Sequence, residues 1–230
     1  MDSALPPPTH DADPSADDFA PPVRAWWPLL LVALAALLLG GLAGYRLGQA
    51  ATPAADSVDV GFARDMSVHH EQAVQMASLA YDRSDDPVVR LLAFDILTTQ
   101  QGQIGIMSGW LDAWGVPWTT TGPRMAWMGM PTEGLMPGMA TTAQLDALRD
   151  ADGAAADVLF LQLMIPHHVG GVDMAREAAA QAERASVRQL AAAMAEAQTS
   201  EIAYMNELLV AKGTAPVAAP TDSGHSHTMP

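Results

Sequence analysis

The chain has 230 residues, half of them hydrophobic, enough for one ordinary core plus tails rather than two domains. A formal net charge of −15 leaves no basic stripe to neutralise phosphates, which excludes nucleic acid as a partner. Cysteine is absent, so disulfides and thiolate metal sites are excluded, and any soft-metal chemistry falls to the 14 methionines.

Residues 1–24 are rich in Pro, Asp and Ala without apolar periodicity and read as a disordered tail. Residues 25–46 read as a transmembrane anchor. An uncharged run from Pro28 to Gly44 is preceded by Trp26 and Trp27 and followed by Tyr45 and Arg46, and with its aromatic edges it approaches the ~20 residues that a bilayer core requires. A cleaved signal peptide is the rival reading, although only Arg24 supplies an n-region charge. Arg24 and Arg46 flank the run on opposite sides and leave its orientation open. Residues 47–56 form a spacer.

From residue 57 to residue 213 the sequence repeats itself. A shift of 98 places aligns Asp59 with Asp157, Phe62 with Phe160, Met66 with Met164, His69–His70 with His167–His168 and Met76 with Met174. The register holds through Gln100/Gln198, Met107/Met205 and Gly115/Gly213. Repeat one (57–115) contains helix-length segments at about 58–82 and 86–113, and repeat two (154–213) at 154–183 and 185–211. Asp86 followed by Pro87 predicts a capped helix start, and Gly115 and Gly213 stand where left-handed caps end a hairpin. In the second segment Leu92, Ile96, Thr99, Gln103, Ile106 and Trp110 are expected along the buried side. The fold expected is all-α: an antiparallel four-helix bundle from two duplicated helical hairpins, preceded by one transmembrane helix. Pro166, inside the third segment, is expected to kink it.

On a helix, Met66, His69 and His70 stand at i, i+3 and i+4, so one thioether and two imidazoles share one face, and Met164, His167 and His168 repeat the arrangement. Thioether and imidazole together suit Cu(I), while imidazole alone also suits Cu(II) or Zn(II). These six residues are the principal candidate metal ligands. Met76, Met107, Met174 and Met205 are further candidates, with core packing as the alternative for each. A di-iron carboxylate centre needs Glu-x-x-His pairs on bundle helices, and none occurs.

The segments Asp65-Met-Ser-Val-His-His-Glu-Gln-Ala-Val-Gln-Met-Ala77 and Met164-Ile-Pro-His-His-Val-Gly-Gly-Val-Asp-Met-Ala175 resemble the paired signature of the ferritin-like domain of unknown function 305 family, over residues 59–213. Glu71 and Val169 stand where the family pattern tends to place Gln. The resemblance implies a ferritin-like four-helix bundle, exported or membrane-anchored, with copper binding through Met and His in some members.

Two other stretches bear on metal. The linker 116–140 carries Met125, Met128, Met130, Met136 and Met139 among Gly and Pro, and is read as a run of exposed thioethers able to capture Cu(I), or else as a lid or partner-binding surface. The tail 214–230 ends in His225, His227 and Met229 and is read as disordered.

The function expected is that of a single-pass membrane protein with an extracytoplasmic domain that sequesters or transfers Cu(I), with a copper-handling protein as partner and no catalysis. The alternatives are a non-catalytic interaction bundle with structural His pairs and a metal-dependent oxidoreductase. Because ligand imidazole must be neutral, metal affinity is expected to fall below about pH 6.5.

Overall fold

The computed structural model describes residues 26–48 and 52–218; the tail 1–24, residues 49–51 of the spacer and the ligand candidates His225, His227 and Met229 lie outside them. Among the described residues every regular element is helical, apart from one isolated antiparallel bridge between Arg124 and Thr132.

Helix α1, Trp27–Gly48, forms a unit separate from the rest of the chain. Its window Trp27–Gly44 has a mean hydropathy of 2.1, and its leucines are exposed. At 1.5 Å per residue the helix is about 33 Å long, which matches a hydrocarbon core of about 30 Å.

The second unit is a bundle on four long helices. Ser57 caps α2 (Val58–Arg83) by accepting from the Val60 amide at 3.4 Å. Asp86 caps α3 (Pro87–Trp114), accepting from Val88 N at 2.8 Å with Pro87 in the first turn, and Gly115 closes α3 at φ +66°. Helix α4 (Thr142–Asp150) follows the linker, then α5 (Gly153–Gln181) and α6 (Ala185–Ala211). The four segments read from periodicity are thus helices, and Pro166 lies within an uninterrupted α5.

Helix α2 packs on α3, α5 on α6, and α2 runs against α5. The ends are tied electrostatically. Asp59, at the start of α2, accepts from the Glu183 and Arg184 amides at 3.0 and 2.9 Å, and so satisfies amides at the start of α6. Its counterpart Asp157, at the start of α5, instead takes the Lys212 ammonium at 2.7 Å, which also binds Asp86 at 2.6 Å.

Three expectations need correction. The buried stripe of α3 is Val89, Leu92, Ile96, Gln100, Met107 and Leu111, while Thr99 and Ile106 face outward. A buried glutamine is invisible to a count of apolar residues, so apolar spacing alone rotates the expected stripe toward the exposed Ile106. Helix α4 was not read at all, although Thr141 and Gln144 form a capping box and Leu148 is fully buried. The third correction concerns the linker methionines. Met125 and Met136 are 1% exposed, Met128 and Met139 are half-buried, and only Met130 of the five stands out in solvent.

Met125 and Met136 are buried because α2 holds the linker against the bundle. Asp65 accepts from Met125 N at 2.8 Å and from Trp127 Nε1 at 2.9 Å. Four residues on, His69 Nε2–H donates to the Pro137 carbonyl at 3.1 Å. Three further, the Gln72 amide exchanges two hydrogen bonds with the Ala140 backbone, at 2.9 and 2.6 Å. Positions i, i+4 and i+7 share one face, so a single stripe of α2 side chains clamps the linker backbone at Met125, Pro137 and Ala140. On the other side Gly138 and Gly170 let the strap lie directly on α5: a Cβ on either would come within 2.1 Å of a backbone carbonyl oxygen, Pro166 O and Pro137 O respectively.

Candidate metal centre

Beneath this strap lie four imidazoles, each no more than 1% exposed. His69 and His70 come from the middle of α2, His167 and His168 from the middle of α5. The His69 and His167 rings meet across the helix interface with centroids 3.8 Å apart and planes tilted by 31°. His167 and His168 are 6.3 Å apart on the same helix.

The outer members of each pair are fixed from behind. His70 Nε2–H donates to Gln103 Oε1 on α3 at 2.7 Å, and His168 Nε2–H donates to Glu201 Oε2 on α6, also at 2.7 Å. Both contacts span 33 residues, so the two hairpins use equivalent positions with different chemistry. A carbonyl and a carboxylate can only accept, as does the amide oxygen facing His70, so His69, His70 and His168 carry their protons on Nε2. The Nδ1 atoms of all three have no partner. Together with both nitrogens of His167, five buried ring nitrogens have no hydrogen-bond partner.

Such groups cost about 1–3 kcal/mol each when left unsatisfied. Burial also dictates their charge. Desolvation lowers the pKa of His69 to about 4, against the opposing hydrogen bond that it donates to the Pro137 carbonyl, and that of His70 to about 3, aided by repulsion from His69. The His167 pKa is held well below the ordinary range by desolvation first and by its three imidazole neighbours second. Neutral imidazoles with exposed lone pairs are the form in which histidine binds metal.

Methionines flank this layer on both sides. Met66, Met107 and Met174 are fully buried in one core cluster, with Met125, Met136 and Met194. Met76, Met164 and Met205 are fully buried in the other. The triplets exchange under the 98-residue shift, and along each of α2 and α5 the His pair lies between a methionine of one cluster and a methionine of the other. Among the described residues no group of three or more His, Asp or Glu side chains is set to hold a metal ion. The donor types in and beside the layer are imidazole and thioether.

The sequence reading places Gln103 on the packed side of α3 without a role and misses Glu201, Asp65, Gln72 and Met194. The first two were findable as polar residues one turn from a buried stripe. Asp65 and Gln72 announced nothing, because their partners are backbone groups of an irregular strap.

His167 offers a direct measurement. Replacing it with Leu removes two buried nitrogens without a partner of ordinary hydrogen-bond geometry, the weak contact to the His69 backbone aside, so His167→Leu is expected to stabilise the metal-free protein by about 1–2 kcal/mol in urea unfolding. A loss of stability would show that the imidazole is held by contacts worth more than its desolvation.

The profile of DUF305, a domain of unknown function, matches residues 59–209. The chain belongs to the DUF305 family. A DUF305 protein of Streptomyces coelicolor is 49% identical, with a TM-score of 0.69, over 72% of this chain and 99% of that one. A DUF305 fragment from Deinococcus radiodurans is 32% identical, with a TM-score of 0.56, over 67% and 96% of the two chains. CopM in its Cu(II)-bound form is 28% identical, with a TM-score of 0.55, over 67% and 97%. CopM has also been solved in Cu(I)-bound and Ag-bound forms. No curated protein matches. The DUF305 fold is thus found in a protein that takes up copper and silver, which places metal handling within the family.

Proposed function

We propose that this DUF305 protein is a copper-binding protein that sequesters or hands on Cu(I), held at the membrane by α1 with its bundle domain, residues 57–213, outside the cytoplasm. One observation carries the reading: five unpartnered ring nitrogens, all buried, from four imidazoles drawn from two helices. A fold does not keep so many unsatisfied groups in its core for packing alone. His69, His70, His167 and His168 are the principal ligands and Met66 and Met164 the soft partners, with Met76, Met107, Met174 and Met205 in reserve. Contact between the His69 and His167 rings favours one site shared by the two hairpins over two separate ones. The two sulfur-rich clusters above and below suit Cu(I), which prefers thioether and imidazole at low coordination number. Copper is cargo in this reading, and no catalytic step is needed. The duplicated hairpin explains why each donor type occurs twice.

The strap changes the role of its methionines. Met125 and Met136 are core residues in the same cluster as Met66, and Met128 is half-buried, so Met130 is the one linker thioether placed to meet an ion arriving from solvent.

The test is competition for Cu(I) by the full-length protein in detergent, against a chromophoric chelator. Wild type is expected to take up Cu(I), and the variant with all four histidines replaced by Ala to lose at least about 100-fold in affinity, the upper range for loss of metal-binding support. His69→Leu with His167→Leu keeps the core apolar and is expected to show the same loss. Unchanged uptake in both variants would move the site to the linker methionines or to the tail with His225, His227 and Met229. Proton competition at His69 and His70 is expected to begin nearer pH 4 than pH 6.5 while the protein stays folded, since burial already keeps those two rings neutral.

A further inference from the structure

Two carboxamide-or-carboxylate positions stand behind the imidazole layer, and they differ by one charge. Of the eight ring nitrogens of the four histidines, three have partners: the Pro137 carbonyl, the Gln103 amide oxygen and the Glu201 carboxylate. The other five have none. Glu201 is therefore the one charged group hydrogen-bonded to the cluster. Gln103 and Glu201 are 98 residues apart and make the same 2.7 Å contact to His70 and His168. As acceptors that fix the Nε2–H tautomer they are equivalent, so positioning alone gives no reason for one of them to be ionic.

A cation offers a reason. Imidazole and thioether donors are neutral, and an ion buried among them carries its whole charge into a medium of low dielectric, where the penalty grows as the square of the unbalanced charge. Resting on the copper reading above, we infer that Glu201 is the counter-charge of the bound ion, matched by a single carboxylate to a monovalent metal. It acts through His168, as a charge-setting residue and not a ligand. With Glu201 in place a monovalent ion leaves the cluster neutral and a divalent ion leaves it at +1. Without it the residues are +1 and +2. With a second carboxylate at Gln103 the balance passes to the divalent ion. The Glu201 side chain is 27% exposed, so solvent screens part of the effect.

The experiment measures Ag(I), Cu(I) and Cu(II) affinities of the full-length protein and of two isosteric variants. Glu201→Gln reproduces the acceptor that His70 already has, so it keeps the tautomer and removes only the charge. It is expected to weaken Ag(I) and Cu(I) by about 10- to 30-fold, and Cu(II) by more, because a divalent ion loses twice the Coulombic attraction. Gln103→Glu adds the charge in the other hairpin and is expected to raise Cu(II) affinity by at least about tenfold relative to Ag(I). Ag(I) and Cu(I) binding within threefold of wild type in Glu201→Gln would overturn the inference and leave the copper reading intact, since an uncharged acceptor would then suffice. A Gln103→Glu variant with unchanged Cu(II)-to-Ag(I) selectivity would overturn it as well. Absence of uptake by wild type would overturn the copper reading itself, and this inference with it.

Discussion

Acidifying the metal-free protein from about pH 7.5 to about pH 5 is expected to lower its melting temperature by roughly 10 °C. The unfolded chain binds protons on its histidines with a pKa of about 6.5, whereas the folded chain holds His69 at about 4 and His70 at about 3. Below pH 6.5 the unfolded state therefore binds more protons than the folded state, and stability falls with pH until the folded values are reached. Above pH 6.5 these groups contribute no pH dependence. At pH 5 each ring has lost about 1.5 pH units of linkage, or about 2 kcal/mol, so the pair removes about 4 kcal/mol from a total that is commonly 5–15. His167 acts in the same direction. Asp65, whose pKa is raised by burial despite its two hydrogen bonds, acts in the opposite one. Melts of wild type beside a His69→Gln, His70→Gln variant check the assignment: the variant's curve should be the flatter of the two across this window. Equal slopes would mean that the rings reach water in the native state. Bound metal is expected to raise the wild-type curve by mass action with little change of slope across this window, because the folded His69 and His70 rings are already neutral there.

How far this centre was legible in the sequence depends on which level of structure fixes each part. The His pairs were legible because a helix places i, i+3 and i+4 on one face whatever surrounds it, and because a register of 98 residues pairs His69 with His167 before any fold is known. Helix ends at Asp86, Gly115 and Gly213 were legible for a similarly local reason, since capping and left-handed backbone are decided by the residue itself. The strap was not. Its path depends on Asp65 and Gln72 capturing backbone groups 60 and 68 residues away, and neither side chain differs in sequence from an ordinary solvated polar residue. Composition then misled, because Gly, Pro and Met in one stretch read as a mobile chain. Met125 even holds a left-handed φ of +63°, strain that only the surrounding contacts could sustain. The buried Gln100 has the same effect on the α3 stripe. Polar residues in a core are functional or structural exceptions to the pattern by which cores are found.

That strap supplies the second large effect. Gly138→Ala is expected to lower stability by about 3–5 kcal/mol or to lift the strap from the bundle outright. Two penalties coincide there. At φ +76° an alanine sits in left-handed backbone, at about 1–2 kcal/mol, and its Cβ would lie 2.1 Å from the Pro166 carbonyl oxygen, a backbone atom of a packed helix that cannot swing aside. The glycines nearby separate the two. Gly129, at φ +71° with open space around it, isolates the conformational penalty, so Gly129→Ala should cost only about 1–2 kcal/mol. Gly170 isolates the clash, its Cβ falling 2.1 Å from Pro137 O on the other side of the same contact; because alanine favours a helix by about 1 kcal/mol, any net loss in Gly170→Ala understates the steric part. Gly134→Ala, which meets only a threonine hydroxyl at 3.7 Å, should be close to neutral. Thermal melts rank the series, and limited proteolysis across 126–140 reports whether the strap has lifted. Lifting would take the Pro137 carbonyl from His69 Nε2 and open the imidazole layer to water, so Gly138→Ala should also raise the His69 pKa toward its ordinary value and quicken metal exchange. A strap that stays protected, with stability within about 1 kcal/mol of wild type, would show that the contact between Pro137–Gly138 and α5 is looser than the 2.1 Å approach implies.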